Sequence, residues 1–280
     1  MKFSLVLATI GRTAEVERFA DGLAAQHHGD FELIVVDQNP DARLAPVFER
    51  RKQRMSIRHL RSLPGLSRAR NAALKHLSGE VVAFPDDDCL YPSDLLTRVA
   101  KILEERPDFD GVTVRAVDEK GRSVARFDRS AGMVTPRNVW RRVCSYGLFL
   151  RRAVVETVGD FDESLGIGSG TPWQGGEDID YPLRGIQAGF KICYRPDLCV
   201  IHPDPMGARE WPLLAIRAHK YGMGIGRVWR KHRYPAWFAW YHIGRPIGGA
   251  LLSLLAGDRG RAKFHWSAFR GRARGWMSRV

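Results

Sequence analysis

The chain has 280 residues, of which 44% are apolar, and carries a formal net charge of +13. This is a globular composition, long enough for one large domain or for a domain with an appendage. Its four cysteines lack the paired C-x-x-C spacing, which argues against a cysteine zinc site and against a disulfide framework, so we expect reduced thiols.

The excess of positive charge lies in the last quarter of the chain. Residues 1–210 contain 30 basic and 30 acidic residues, whereas residues 211–280 contain 14 basic residues and one acid, Asp258. A neutral body with a basic tail predicts two domains, 1–210 and 211–280, the second facing a membrane surface, nucleic acid or an acidic polymer. The apolar run at 3–8 is too short for a signal peptide, so we expect a cytoplasmic protein.

Strands and helices alternate along the chain. Apolar patterns first predict strands over 2–8, 31–37, 56–61 and 80–84, with helices over 14–26, from Pro40 to about 54, and from 65 to 77. Further predicted elements are helix 92–105, strand 110–117, strand 143–150, helix 151–158, helix 177–189 and strands 190–194 and 199–201. The order predicts a mostly parallel α/β sheet, mixed after a turn at 119–122, with ligands at the carboxyl ends of the strands.

The basic tail is predicted to be helical. We expect a helix over 211–221 that the glycines of 222–226 break, and an apolar stretch at 246–256 that is too short to cross a bilayer. A helix over 259–277 would place five apolar residues on one arc edged by arginines: Ala262, Trp266, Phe269, Ala273 and Trp276. Such a stripe is typical of a helix lying on an anionic membrane, although a basic helix packed on the body is the alternative.

Three consecutive acids follow the apolar strand near residue 84. Side chains alternate in an extended segment, so Asp86 and Asp88 point to one side and Asp87 to the other. Two carboxylates on one side suit Mg²⁺ or Mn²⁺ shared with a substrate diphosphate. The alternative is a solvated acidic turn that caps the next helix.

Other candidate residues lie at the ends of predicted elements. Asp37, after the second strand, is placed to accept hydrogen bonds from a base or ribose, or is an ordinary strand-ending acid. Arg68 and Arg70 in the first turn of a helix oppose its dipole, which hints at an anionic ligand.

Two further candidates follow later in the chain. Glu177 and Asp178 begin a helix whose dipole can keep one carboxylate ionised as a catalytic base, or they simply cap that helix. His202 follows a strand, where it could complete the metal site of the acid triplet or be a structural histidine.

Taken in order, these segments resemble an inverting glycosyltransferase of family 2, with the GT-A fold. The resemblance covers about 200 residues and rests on Leu5–Thr9 with Arg12, Val35–Asp37, Leu66–Asn71, Pro85–Asp88, Gly176–Asp178 and Ile201–His202. It implies a Rossmann-like mixed sheet flanked by helices, here with a basic helical C-terminal extension.

The resemblance also implies roles for individual residues. Thr9 and Arg12 would lie against the nucleotide, Asp37 would hold its base or ribose, and Arg70 belongs to the Arg-Asn pair that the family shows. Metal ligands would be Asp88 and His202, and Asp86 would contact the ribose or the metal. Asp178 would be the general base, with Glu177 beside it in the catalytic pair.

The resemblance implies a metal-dependent transfer of a sugar from a nucleotide sugar, with a UDP-sugar favoured. The expected acceptor is a hydroxyl of a glycan or lipid-linked glycan in bacterial surface polysaccharide synthesis, at the cytoplasmic face of the inner membrane. Alternatives are a sugar nucleotidyltransferase and a basic nucleic-acid-binding protein; the second leaves both acidic motifs unexplained, so we expect no nucleic-acid partner.

Overall fold

The structure is a computed structural model that describes residues 1–204, 207 and 210–278. Its strands are β1 (Phe3–Thr9), β2 (Phe31–Asp37), β3 (Ser56–Arg61), β4 (Val81–Ala83), β5 (Gly111–Val117), β6 (Gly132–Met133), β7 (Leu148–Arg151) and β8 (Ile192–Ile201). Its helices are α1 (Ala14–Ala24), α2 (Ala45–Glu49), α3 (Leu66–Leu74), α4 (Leu95–Glu105), α5 (Arg152–Val158), α6 (Glu177–Gln187), α7 (Trp211–Lys231), α8 (Ala236–Leu255) and α9 (Arg259–Met277).

The strands form one sheet in the order β3-β2-β1-β4-β7-β5-β8-β6. The first four in this order are mutually parallel, β7 is antiparallel to both of its neighbours, and β5 pairs with β8 in parallel. This mixed, mostly parallel sheet with flanking helices confirms the predicted fold class. Because β1, β2, β4 and β8 run in the same direction, the loops after them are the ones that can carry a shared site.

The chain divides into two compact units. The first contains residues 1–161 and 181–204, which include the whole sheet, and the second contains residues 162–180 and 205–280. The second unit therefore combines a glycine-rich loop at 166–176 and the first turn of α6 with the helices α7 to α9. A separate function for residues 211–280 stays a prediction.

The predicted break at the glycines of 222–226 is wrong, because α7 continues through them to Lys231. These glycines allow close contact with α9: a Cβ at Gly222 would lie 3.0 Å from the Arg272 nitrogen, and one at Gly226 would lie 2.2 Å from its carbonyl oxygen. Gly271 and Gly275 of α9 approach α7 equally closely. Small residues four apart on both helices let the two backbones touch, which offsets the low helix propensity of glycine.

The arc predicted on α9 is only partly exposed. Ala262, Ala273 and Trp276 are buried, whereas Trp266 is exposed and Phe269 is half-buried. The close contact with α7 covers the buried part of the arc. The helix α9 therefore does not present the continuous apolar stripe that we expected. No helix in the described part of the chain is both long and apolar enough to cross a membrane.

Two other elements are shorter than predicted. The helix expected from Pro40 to 54 is limited to α2, because the Asp41 carboxylate accepts hydrogen bonds from the backbone and side chain of Arg43 in a local turn. The strand expected over 143–150 begins only at Leu148, after a short 3₁₀ turn at Ser145–Gly147.

Candidate active site

The acid triplet is placed by the strands on either side of it. Parallel pairing of β1 with β4 brings Thr9 beside the triplet, where its hydroxyl donates to Asp87 over 2.6 Å. Leu90 and Ile201 exchange both backbone hydrogen bonds, at 2.8 and 2.9 Å. This bridge holds the segment after the triplet against the end of β8 and so brings His202 to the acids.

Asp86, Asp88 and His202 form a cluster that suits a metal ion. One ligand atom from each lies within 4.8 Å of the others, and all three side chains are half-buried. The His202 Nε2 lies 3.3 Å from Asp88 Oδ1 and 3.9 Å from Asp86 Oδ2. Among the residues that the structure describes, this is the one such group of three.

The imidazole of His202 is oriented for ligation. Its Nδ1 donates to the carbonyl of Pro203 over 2.7 Å, and its ring stacks on Tyr146 at 4.5 Å between centroids. Since Nδ1 carries this proton, Nε2 is the nitrogen that faces the two carboxylates, as in a ligand fixed by a backbone carbonyl. Two carboxylates and one imidazole therefore fit a divalent cation such as Mg²⁺ or Mn²⁺.

The two carboxylates of the cluster differ in pKa. Burial raises the pKa of Asp86 to about 6, against the opposing charges of Arg70 and His202. Burial acts in the same direction on Asp88, but His202 and Arg12 outweigh it and lower the Asp88 pKa to about 2. For His202 burial opposes the charged form, yet Asp88 raises its pKa above the ordinary value. A bound cation would displace the His202 proton.

Asp87 lies apart from the other two acids, as predicted, but the predicted extended conformation is wrong: residues 86–89 form a turn in which the Cys89 N–H donates to the Asp86 carbonyl over 3.2 Å. Asp87 is buried, and the guanidinium Nη1 of Arg12 lies 2.5 Å from its Oδ1 and 2.7 Å from Asp88 Oδ2. The sequence left open which of the three acids converge; in the structure the protein's own groups hold Asp87, and it does not join the cluster.

Arg70 is buried beside the cluster, whereas Arg68 is exposed. The Nη2 of Arg70 lies 3.4 Å from Asp86 Oδ1. The Arg70 guanidinium faces the rings of Phe84 and Phe161 at 5.8 and 5.4 Å. Its Nη1 is buried without a hydrogen-bond partner among the described residues. A positive charge held this way in an apolar surrounding favours an anion nearby.

Asp37 is completely buried, and its own chain fills its hydrogen-bonding capacity. One oxygen accepts from the backbone and side-chain nitrogens of Asn39, at 2.8 and 2.7 Å. The other accepts from His59 at 3.0 Å and Arg61 at 2.8 Å. Asp37 therefore fixes the positions of Asn39 and Arg61.

A cavity of about 630 Å³ lies beside Asn39 and Arg61. It is lined by the last residue of β3 and by residues that follow β1, β2 and β3: Ile10, Gln38, Asn39, Pro40, Arg61, Ser62, Leu63 and Pro64. Sequence reasoning missed Arg61, which it treated only as the end of a strand. The signal was available, because parallel pairing of β2 and β3 places Arg61 opposite Asp37.

Glu177 and Asp178 lie in the second unit, in the first turn of α6. Gly176, at φ +93°, precedes the helix, and Glu177 is buried against Gly166, where a Cβ would lie 3.1 Å from the carboxylate. Asp178 is half-buried. Carboxylates at a helix N-terminus are stabilised in the ionised form, as a base requires.

Asp180 in the same turn is a residue that sequence reasoning missed. It is 1% exposed and lies 2.7 Å from Lys231 Nζ and 2.8 Å from His232 Nε2, while Lys231 also contacts Asp162 at 2.7 Å. These contacts tie the start of α6 to the end of α7. The sequence pattern indicates only a basic cluster for Lys231 and His232.

A sequence profile described as "Glycosyl transferase family 2" matches residues 4–159. The glycosyltransferase AglE of Haloferax volcanii is 26% identical over 82% of this chain and 75% of its own length. A PGL/p-HBAD biosynthesis glycosyltransferase of Mycobacterium tuberculosis is 27% identical over 57% of this chain and 63% of its own length.

Solved structures share the fold. Staphylococcus aureus TarS 1-349 in complex with UDP-GlcNAc has a TM-score of 0.63 at 17% identity, covering 96% of this chain and 92% of that one. The mannosyltransferase PcManGT from Pyrobaculum calidifontis, in complex with GDP-Man and Mn²⁺, has a TM-score of 0.68 at 14% identity, covering 99% and 87%. Both matches extend over nearly the whole chain.

Proposed function

Because this chain belongs to glycosyl transferase family 2 and is therefore an enzyme of the transferase class, we propose a metal-dependent, inverting transfer. It would move a sugar from a nucleoside-diphosphate sugar to a hydroxyl of a glycan acceptor, in surface polysaccharide synthesis. The observation that carries this proposal is the convergence of Asp86, Asp88 and His202 at the carboxyl ends of the strands. A nucleotidyltransferase and a nucleic-acid-binding protein gain no support from the comparisons.

Asp86, Asp88 and His202 would hold Mg²⁺ or Mn²⁺. The ion, when bound, neutralises negative charge that develops on the departing diphosphate. Arg12 and Arg70 place two further positive charges beside the same acids and would stabilise the leaving group without donating a proton.

The cavity beside Asn39 and Arg61 would take the nucleoside of the donor. Its wall combines exposed Ile10 and Leu63, which can pack on a flat base, with the donors of Arg61 and Asn39. Asp37 would then act through these two residues rather than by direct contact. UDP is the favoured nucleotide; TarS binds UDP-GlcNAc and PcManGT binds GDP-Man, so both bases are tested.

Asp178 would be the general base, and Glu177 would support the turn that holds it. An acceptor hydroxyl becomes a good nucleophile when a carboxylate takes its proton as the new bond forms. Attack from the face opposite the leaving diphosphate inverts the anomeric centre. We further propose that the acceptor is lipid-linked and that the enzyme acts at the cytoplasmic face of the inner membrane, since residues 211–280 are strongly basic.

The test is thermal unfolding with UDP, GDP, dTDP, CDP and ADP, each with and without Mn²⁺. One nucleotide at about a hundred times its Kd should raise the Tm by about 5 °C, only with metal. Asp88→Ala should abolish the shift, whereas Asp30→Ala, at an exposed acid before β2, should keep it. If the nucleotide and Mn²⁺ raised the Tm of Asp88→Ala as much as that of the wild type, the proposed metal site would be wrong.

A further inference from the structure

One helix of the second unit carries an uncovered apolar face. Leu254, 55% exposed, lies apart, but the other large exposed apolar side chains of α8 fall on one side of the helix, together with two glycines that have open space around them. They are Trp237, Trp240, Tyr241, Gly244, Gly248, Leu251, Leu252 and Leu255. Spacings of three, four and seven residues place them within about a third of the helix circumference.

The opposite side of α8 is the one that packs within the unit. Phe238, Ala239, Ile243, Ala250 and Ser253 are buried there. Leu255, on the uncovered face, is 86% exposed. The exposed face is thus a continuous surface of the folded unit.

Exposed cationic residues flank this face along the chain. Exposed Arg233 precedes α8, Arg245 lies at the edge of the face, and exposed Arg259, Arg261 and Lys263 follow the helix. The single acid of residues 211–280, Asp258, caps α9 by accepting from the backbone of Arg261. Tryptophan and tyrosine at one end of the face suit the boundary between lipid headgroups and acyl chains.

From this arrangement we propose that α8 lies flat on a membrane containing anionic phospholipid, with its apolar face inserted between the headgroups. The side chains of the face would enter the acyl region, and the arginines around it would contact lipid phosphates. This assigns membrane contact to α8, in place of the α9 stripe expected from the sequence.

A second copy of the chain is the other occupant to consider. Pairing two α8 faces would bring the arginines next to the face in both copies together, and residues 211–280 of each copy contain a single acid. An anionic lipid surface supplies the missing negative charge. Charge complementarity therefore favours the membrane.

The biological meaning of this surface rests on the proposed function, but its test needs no sugar or nucleotide. The full chain is sedimented with vesicles of phosphatidylglycerol and phosphatidylcholine, and with phosphatidylcholine alone. We expect binding to the anionic vesicles and at least tenfold weaker binding to the neutral ones. Equal binding to both, or to neither, would overturn the proposal.

Matched variants locate the contact. Trp240→Glu on α8 and Trp266→Glu on α9 make the same change at side chains of nearly equal exposure, 50% and 49%. We expect Trp240→Glu to weaken vesicle binding at least tenfold and Trp266→Glu to leave it unchanged; the reverse would assign the contact to α9. Leu255→Glu, at the most exposed position, gives a second variant of the α8 face.

Two measurements on the same samples check folding and self-association. Far-UV circular dichroism and Tm should match the wild type in all three variants, since each residue is exposed. Size-exclusion chromatography with light scattering reports the oligomeric state without lipid. A dimer that Trp240→Glu dissolves would assign the face to a second copy and overturn the membrane proposal. The nucleotide-dependent shift in Tm is measured separately. Failure of the membrane proposal can therefore be distinguished from failure of the proposed transferase function.

Discussion

The two acidic motifs of this chain are held in place in different ways. At the sheet edge, strand pairing positions Asp86, Asp87 and Asp88, and two of them converge on His202. At the start of α6, Glu177 and Asp180 are buried on one face of the helix, where Lys231 and His232 hold Asp180, whereas Asp178 diverges from them and is half-buried. Convergence suits a metal ion, and divergence suits one carboxylate acting alone.

In both motifs the protein's own side chains hold a buried acid in place. Arg12 pairs with Asp87, and Lys231 with His232 pairs with Asp180. These pairs fix the geometry of the neighbouring carboxylates. The difference teaches that strand ends and the loops next to them place the first motif, whereas the second depends on the packing of α7.

The largest expected effect is on the reaction, from Asp178→Asn. Without a base the transfer rate should fall about 10²- to 10⁴-fold, while the nucleotide-dependent Tm shift persists. The measurement is release of nucleoside diphosphate in the presence of acceptor-bearing membranes. Glu163→Gln, in the same unit, is the control, and retained transfer in Asp178→Asn would end the base assignment.

The next largest effect is expected from Gly226→Ala, which disturbs the packing of α7, the helix next to the second motif. The added Cβ would lie 2.2 Å from the Arg272 carbonyl oxygen, so α7 and α9 must separate. We expect a loss of about 3 kcal/mol in the free energy of unfolding, measured by urea denaturation. Gly248→Ala on α8, where nothing lies within 4 Å, should be neutral or stabilising by up to about 1 kcal/mol.

A smaller loss is expected from Asp180→Asn. The change leaves Lys231 and His232 facing a neutral amide, and we expect about 2 kcal/mol of destabilisation by the same method. Asp162→Asn removes only the second, half-buried partner of Lys231 and should cost less than about 1 kcal/mol. Equal losses in the free energy of unfolding would show that Asp180 contributes no more to stability than Asp162.

The smallest effect is a pH dependence in the second unit. Burial, with the nearby charges of Arg245 and Arg272, lowers the pKa of His242 to about 4 from its ordinary 6.5. The unfolded chain therefore binds this proton more readily, and stability is lost as pH falls from about 6.5 to about 4.

The expected loss is about 1 to 2 kcal/mol, reduced from the full linkage value because the ring is partly exposed. It is measured as the difference between wild type and His242→Gln across this pH window. The subtraction is needed because Asp86, with a pKa of about 6, titrates in the same window with the opposite sign. An unchanged difference from about pH 4 to about pH 7 would contradict the expectation.

The sequence could predict the sheet because its signals are local. Apolar runs with turn residues between them specify β1 to β4, but the separation of Asp87 from Asp86 and Asp88 arises in a turn, not in the extended segment that the sequence prediction assumed. Parallel order then brings strand ends together. These rules need only short-range periodicity and sheet geometry.

The helical unit could not be predicted in the same way. Glycine in a helix is unfavourable locally, so Gly222 and Gly226 indicated a break, and only their contact with α9 explains the continuous helix. The same contact buries Trp276 and leaves the exposed apolar surface on α8. Partner choice between helices depends on distant residues that no local pattern reveals.

The open space around Gly248 has a practical consequence. Three of the four cysteines are buried, and Cys199 is half-buried, so a cysteine introduced at the exposed position 248 would be the most exposed thiol among the described residues. A spin label or fluorophore attached there would sit in the middle of the exposed face of α8 without disturbing a packed neighbour. Gly248 is thus a natural site for a reporter of depth and polarity at that surface.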